Sequence, residues 1–259
     1  MQLHKEKCYN NFEVINMKNK WIVKRIENYQ KNVPDEIHYR CRHRPTCSEY
    51  AKQAYMRYNF FHASFLTTKR LLKCNRLFKP SYDPVPIKYS KIVKDARKII
   101  KDFKNKNVCI DATCVNGHDT IFLSKFFKEV HSFDIQELAI KRTKSKLYYI
   151  NNVKLYNDDF NNIPTYDIKP DLIIFNLGFL PGSNRKVKTQ DYTPESAIKK
   201  CYDILNDDGI IIICSYRAHD GGMDEYNKII DNIKDLNYSV KEKYKNNEAL
   251  IVIKKESHN

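Results

Sequence analysis

The chain has 259 residues, and its 46 Lys and Arg outweigh 31 Asp and Glu to give a formal net charge of +15. It holds no run of 18 or more apolar residues, and its opening stretch MQLHKEKCYNN has neither an apolar core nor a small-residue cleavage site. That pattern excludes a membrane-spanning segment and a secretory leader in what can be read, and it places the chain in the cytosol as an expectation. Eight cysteines in no regular framework are expected as thiols in a reducing compartment.

The charge is uneven along the chain. Residues 1–90 carry 18 basic against 7 acidic side chains, whereas the remainder carries 28 against 24. Two domains are expected, a basic helical one over residues 1–87 and an α/β one over residues 88–259. A basic segment suits either nucleic acid or an anionic membrane face.

Lys18 to Lys31, KNKWIVKRIENYQK, places Trp21, Ile22, Ile26 and Tyr29 near one helical face with Lys18, Lys20, Lys24, Arg25 and Lys31 around it. This is a basic amphipathic helix, suited to packing on a core or to lying in a membrane interface. The stretch CRHRPTCSEYAKQAYMRYNFFHASFLTTKRLLKC follows. Ser48 is placed to cap a helix through about Tyr58, and a second helix through Lys73 carries Phe61, Phe65, Leu66, Leu71 and Leu72. Cys41, His43, Cys47 and Cys74 lack the paired spacing of a zinc site and are read as packed or redox-active thiols; no metal is assigned.

Cys41, Arg42, Pro45, Thr46, Cys47, Ser48, Tyr50 and Ala51, then Arg70, Leu71, Leu72 and Cys74, and the closing Asp83-Pro84-Val85-Pro86 give this segment a family signature. It resembles the membrane protein insertion efficiency factor family (YidD-like) over about residues 18–87. The resemblance implies a peripheral position on the inner face of the cell membrane, help in inserting integral membrane proteins alongside the insertion machinery, and no catalytic residues. Asn59 and His62 stand where that family has glycines. Lys79 to Ile87, KPSYDPVPI, holds three prolines and reads as a stiff extended connector.

Beyond it, helix and strand signals alternate: a helix near Ser90 to Lys104, strand Val108 to Ile110, helix to Phe127, strand Val130 to Phe133, helix to Ile150 and a short strand Val153 to Leu155. Then come strand Leu172 to Phe175, helix Pro194 to Leu205, strand Ile210 to Cys214, a helix from Met223, and strands near Tyr238 to Lys243 and Leu250 to Ile253. The alternation predicts a Rossmann-like, seven-stranded, mostly parallel sheet with helices on both faces and a C-terminal antiparallel hairpin, as in a class I methyltransferase.

In VCIDATCVNGHDT a strand runs into an acid, a short loop and a helix start, the layout of a nucleotide-type cofactor loop. Only Gly117 is present where a dinucleotide fingerprint needs three glycines, so no pyrophosphate cradle forms and dehydrogenase chemistry is disfavoured. A ligand with a ribose and a carboxylate but no phosphate suits the loop, and S-adenosylmethionine fits that description. Asp134, in SFDIQ after the second strand, is positioned for the ribose hydroxyls. Asp158 and Asp159, in YNDDF, are candidates for the adenine amine, or else turn residues. In FNLGFLPG, Asn176 and the carbonyls after it are expected to accept hydrogen bonds from a target amine and so aim its lone pair at an electrophilic methyl. Phe179 is the aromatic of that turn. Tyr216 and His219, in SYRAHDGGMDE, are expected to line the substrate pocket, with His219 placed to take a proton.

Together DATCVNGHDT, FDIQ, FNLGFLPG and YRAHDGGMDE resemble the rRNA methylase-like family over about residues 90–255. That family includes the methyltransferase acting on the 5-aminomethyl group of wobble 2-thiouridine in tRNA. The resemblance implies S-adenosylmethionine-dependent methylation of that amine, with the tRNA anticodon region as partner. It implies cofactor contacts from Asp111, Thr113, Asn116, Gly117, Asp119, Asp134, Gln136 and Asn176; Thr120 and Gly178 complete the expected set, and Thr189 and Thr193 fall near the substrate entry. Val115 stands where the family has the first glycine of GNG, which predicts a β-branched residue at positive φ. Ser183 replaces a glycine after LPG, and paired prolines expected near Asn246 and Asn247 are absent. The alternative reading is a peripheral membrane insertion factor carrying a degenerate methyltransferase passenger.

Overall fold

A computed structural model describes residues 19–34, 41–177, 194–218, 221–244 and 246–257. The chain divides into two compact units, Met1–Lys88 and Tyr89–Asn259.

Among its described residues the first unit has three helices, α1 (Lys20–Asn32), α2 (Cys47–Arg57) and α3 (Phe60–Lys73). The Asn19 side chain donates to the carbonyls of Tyr55 and Tyr58 at 3.0 and 2.9 Å, so the residue before α1 closes the carboxyl end of α2. Thr46, not Ser48, caps α2: its hydroxyl accepts from the Glu49 N–H. The physical reason is position, because only the residue just outside the helix has both extended backbone and a side chain facing the orphan amides. Asn59 caps α3 in the same way, accepting from the His62 N–H.

Tyr50, Ala54, Ala63, Leu66 and Val85 form the small core. Of the apolar side chains expected on α3 only Leu66 is buried; Phe61, Phe65, Leu71 and Leu72 face outward, as do Trp21 and Tyr29 of α1. The proline-rich stretch, expected as a stiff extended connector, is also anchored to the first unit. Strand β2 (Ser81–Tyr82) pairs in parallel with β1 (His43–Arg44), Asp83 meets the buried Arg70 at 3.0 Å, and Val85 is fully buried. Arg70 also donates to the Pro45 carbonyl and lies over the Tyr50 ring. A buried guanidinium left without those acceptors would be strongly destabilising, which explains why this segment is held in place despite its prolines. No helix among the described residues is long and apolar enough to cross a membrane.

The second unit is a seven-stranded sheet. Its strands are β3 (Val108–Asp111), β4 (Glu129–Phe133), β5 (Val153–Tyr156), β6 (Leu172–Leu177), β7 (Ile210–Tyr216), β8 (Tyr238–Lys241) and β9 (Glu248–Lys254). They are ordered β5-β4-β3-β6-β7-β9-β8, parallel from β5 through β7 and antiparallel for β9 and β8. Because parallel strands are covered on both faces, they read as continuous apolar runs: Ile211, Ile212 and Ile213 of β7 are each fully buried. Each buried isoleucine contributes roughly 2 kcal/mol relative to exposure.

Covering the sheet are α4 (Lys91–Asp102), α5 (His118–Leu123), α6 (Glu137–Lys146), α7 (Pro194–Ile204) and α8 (Gly222–Ile233). Helix α4 buries Ile92, Ala96 and Ile100, four residues apart, against the sheet. Helix α5 ends at Leu123, short of the expected Phe127, because Lys125 and Phe126 close the chain with tighter i to i−3 bonds and Phe127 turns into the core. Helix α6 likewise ends at Lys146, before Ile150. The strand order reverses between β3 and β6, and in open α/β sheets the crevice at such a switch point is where ligands bind.

Candidate functional site

At the carboxyl end of β3 Asp111 is completely buried. Thr120 donates to its Oδ2 at 2.6 Å and the Thr113 N–H to its Oδ1 at 3.3 Å. Burial, with nearby Asp119 second, pushes its carboxyl up to about 7. Thr120 is buried too. These two expected cofactor contacts therefore turn toward each other inside the sheet end, and what they do there is hold the loop.

That loop makes two left-handed steps, Val115 at φ 48 and Gly117 at φ 70. The valine adopts the unfavourable conformation its position predicts, at a cost of roughly 1–2 kcal/mol. Its N–H is the reason it is tolerated: it donates to Asp134 Oδ2 at 2.9 Å. Gly117 is required on two grounds, since a Cβ there would also lie 2.7 Å from Thr143 of α6. The Asn116 carbonyl accepts from Lys146.

Asp134, at the end of β4, accepts the Gln136 N–H on Oδ1 at 2.9 Å and the Val115 N–H on Oδ2. Burial raises its carboxyl while the two amides pull it back. Among the described residues each oxygen retains an unused lone pair.

Asp119, in the first turn of α5, joins two groups. Arg97 of α4 grips its Oδ1 at 2.7 Å and also donates to the His118 carbonyl, while the Asn176 side-chain amide donates to its Oδ2 at 2.6 Å. Arg97 is itself sandwiched, its guanidinium 3.7 Å from the Tyr89 ring centre and 4.5 Å from that of Phe122. Asn176, near the end of β6, has its N–H bound to Thr113 Oγ1 at 2.9 Å. Its Oδ1 is buried and has no hydrogen-bond partner among the described residues. A buried amide oxygen left without a donor costs roughly 1–3 kcal/mol.

Asp111, Thr113, Asn116, Gly117, Asp119, Thr120, Asp134, Gln136 and Asn176 thus converge on the ends of β3, β4 and β6. Asp158 and Asp159 are engaged locally. Asp158 accepts from Asn162 and Tyr166, and Asp159 caps the 3-10 turn at Phe160–Thr165. These are turn contacts, one of the two roles their sequence allows. Tyr216 ends β7, its hydroxyl held well above the usual range by burial. Gly178, Phe179, Ser183, Thr189, Thr193 and His219 lie outside the described residues. In the first unit both His43 ring nitrogens are occupied, by Ser81 and the Lys73 carbonyl. Burial, then the adjoining Cys74, pushes the Cys47 thiol up to about 11. Arg97 and Thr143 escaped the sequence reading. The only signal for Arg97 is a cation beside the apolar positions of α4.

The strand order β5-β4-β3-β6-β7-β9-β8, with β9 and β8 antiparallel, gives the second unit the class I methyltransferase fold. Residues 130–253 match the family model described as "Putative rRNA methylase", and residues 18–86 the one described as "Putative membrane protein insertion efficiency factor". The chain belongs to the insertion efficiency factor family through its first unit, and its second unit is similar to the rRNA methylases.

Among individual relatives, the chain is 35% identical over 133 residues to the chloroplastic tRNA (mnm(5)s(2)U34)-methyltransferase of Arabidopsis thaliana. That match covers 45% of this chain and 48% of the relative, so the chain spans about half of that protein's length. It is 46% identical over 63 residues to an insertion efficiency factor of Chlorobaculum tepidum, covering 24% of this chain and 76% of the relative. A methyltransferase of Streptococcus mutans, solved in complex with SAH, superposes with a TM-score of 0.56 at 32% identity, covering 65% of this chain and 99% of that one.

Proposed function

We propose that the second unit uses S-adenosylmethionine to methylate an amine in RNA, in its narrowest form the 5-aminomethyl group of wobble 2-thiouridine in tRNA. The observation that carries this reading is the buried Oδ1 of Asn176, which has no partner among the described residues and is fixed in direction by Asp119.

The residues present suit the cofactor. Among the described residues Asp134 offers one free lone pair on each oxygen, which matches a ribose diol, and a loop with Gly117 alone has no pyrophosphate cradle to leave empty. Asn116, Gly117 and Gln136 lie beside it. Bound there, S-adenosylmethionine supplies a methyl group already activated as a sulfonium substituent. The protein's part is therefore positioning. Asn176 Oδ1 accepts an N–H of the neutral amine and turns its lone pair toward the methyl, and the Arg97–Asp119 pair keeps the amide from rotating. Tyr216, at the end of β7, is assigned to the acceptor side, and His219 and Phe179, which lie outside the described residues, are assigned there from the sequence alone.

For the first unit we infer peripheral attachment to the anionic inner face of the cell membrane. The outward-facing Phe61, Phe65 and Leu72 of α3 beside Lys69 and Lys73 favour it. Mass spectrometry of wobble nucleosides from cells with and without the protein tests the enzyme reading: the unmethylated aminomethyl nucleoside accumulates in its absence. An unchanged nucleoside profile rejects the tRNA substrate. Pelleting of the full chain with anionic vesicles but not neutral ones is expected, and its absence removes the membrane reading.

A further inference from the structure

We propose that the outer face of α4 docks the phosphodiester backbone of the RNA acceptor; the inference rests on the reading of the second unit as an RNA methyltransferase. Along KIVKDARKIIKD the exposed positions are Lys91, Lys94, Lys98, Lys101 and Asp102. The four lysines repeat at i, i+3, i+7 and i+10, so they lie along one line about 15 Å long.

These cations differ from five others on this unit. Lys141, Lys154, Lys199, Arg217 and Lys241 each have a carboxylate partner, on Glu137, Glu129, Asp235, Glu242 and Asp95 respectively. Lys91, Lys94, Lys98 and Lys101 have no carboxylate within 4.0 Å among the described residues. Self-repulsion along such a line is relieved by a polyanion whose charges also run in a line.

Location fits the role. The flank of the same helix carries Arg97, which reaches His118 and Asp119 and through Asp119 holds Asn176. The lysines thus stand about one helix diameter, roughly 10 Å, from the side chains that orient the amine. A membrane is the poorer partner for this face. Ile92 and Ile100 are buried in the core and Val93 and Ile99 pack against it, so the lysine line has no apolar side chain to insert beside it.

The test is the double charge reversal Lys94→Glu with Lys98→Glu in the full chain. It is compared with Arg142→Glu and Lys144→Glu, two exposed cations of α6 whose replacement changes net charge equally. Anisotropy of a labelled synthetic anticodon stem-loop RNA is followed from 50 to 200 mM salt. Loss of two phosphate contacts weakens binding about 10-fold or more at low salt and lowers the salt slope by about 1.5. The α6 variant shifts less than about threefold, and calorimetric binding of S-adenosylmethionine is the same in all three proteins.

Equal losses in the two variants, or an α4 variant that binds the RNA like the parent, overturn the docking face while leaving the enzyme reading intact. A parent protein that does not bind the RNA at 50 mM salt overturns both. An α4 variant that loses phosphatidylserine vesicles yet keeps the RNA shows that the face serves a membrane and overturns the proposal.

Discussion

Gly117→Ala puts a methyl carbon 2.7 Å from Thr143 Cγ2 and 2.8 Å from its Oγ1, at a φ of +70. Two costs add. Holding an L-residue in the left-handed region costs roughly 1–2 kcal/mol, offset by about 0.5 kcal/mol because alanine restricts the unfolded chain. The overlap adds about 1–3 kcal/mol, since Thr143 is β-branched within a helix and cannot swing aside. The expected total is roughly 2–4 kcal/mol. For a unit of this size that lowers its calorimetric transition by about 4–16 °C, at some 2–4 °C per kcal/mol. Thr143→Ala removes both clashing atoms but leaves its own Cβ at 3.1 Å from the new methyl. The double variant should therefore recover the overlap and keep the backbone strain, giving a coupling energy of about 1–2 kcal/mol in a four-protein cycle. Coupling below about 0.5 kcal/mol, or a Gly117→Ala protein as stable as the parent, would refute the close approach of α6 to this loop.

Three further outcomes are expected. Asp111 is raised from 3.8 to about 7, so between those values the folded protein holds a proton that the unfolded chain has released. Stability accordingly falls as pH climbs from about 4 to 7, by up to roughly 4 kcal/mol, and Asp111→Asn flattens the slope in urea unfolding at pH 5 and 8; an undiminished slope counts against this. Arg97→Gln is expected to cut kcat for methylation about 10-fold or more while S-adenosylmethionine affinity stays within about threefold, with partial rescue by Arg97→Lys. A defect confined to cofactor affinity contradicts the positioning role. Val115→Gly trades roughly 1–2 kcal/mol of relieved strain against about 0.5–1 kcal/mol of added chain entropy. Its stability should stay within about 1 kcal/mol of the parent and its cofactor binding should be equal or tighter by calorimetry, whereas clearly weaker binding rejects the strain account.

The sheet was legible because parallel strands announce themselves as apolar runs such as Ile210 to Ile213, and the hairpin because β8 and β9 have no helix signal between them. Helix ends were legible less well. Ser48 and Thr46 are both plausible caps by composition, and only backbone geometry separates them. The proline-rich stretch was legible only in part for another reason: stiffness is encoded locally, but its anchoring depends on Arg70 finding Asp83 across the fold. The site shows the same division. Asp134 and Asn176 stand at strand ends where spacing alone points. Arg97 acts on a residue 22 positions away, and periodicity gives the face of a helix without naming what that face touches.

Thr113 accepts the Asn176 N–H, and on the other side Cys114 and Val115 donate to the Phe133 carbonyl and to Asp134. One short loop is thereby stitched to both of its neighbours, so the three strand ends behave as a single thermodynamic object. A molecule that stiffens the Asp134 side lowers the ordering entropy left for whatever binds beside Asn176, and linkage makes the effect equal in the reverse direction. Two ligands would then arrive with synergy beyond their direct contact, each raising the other's affinity by the same factor.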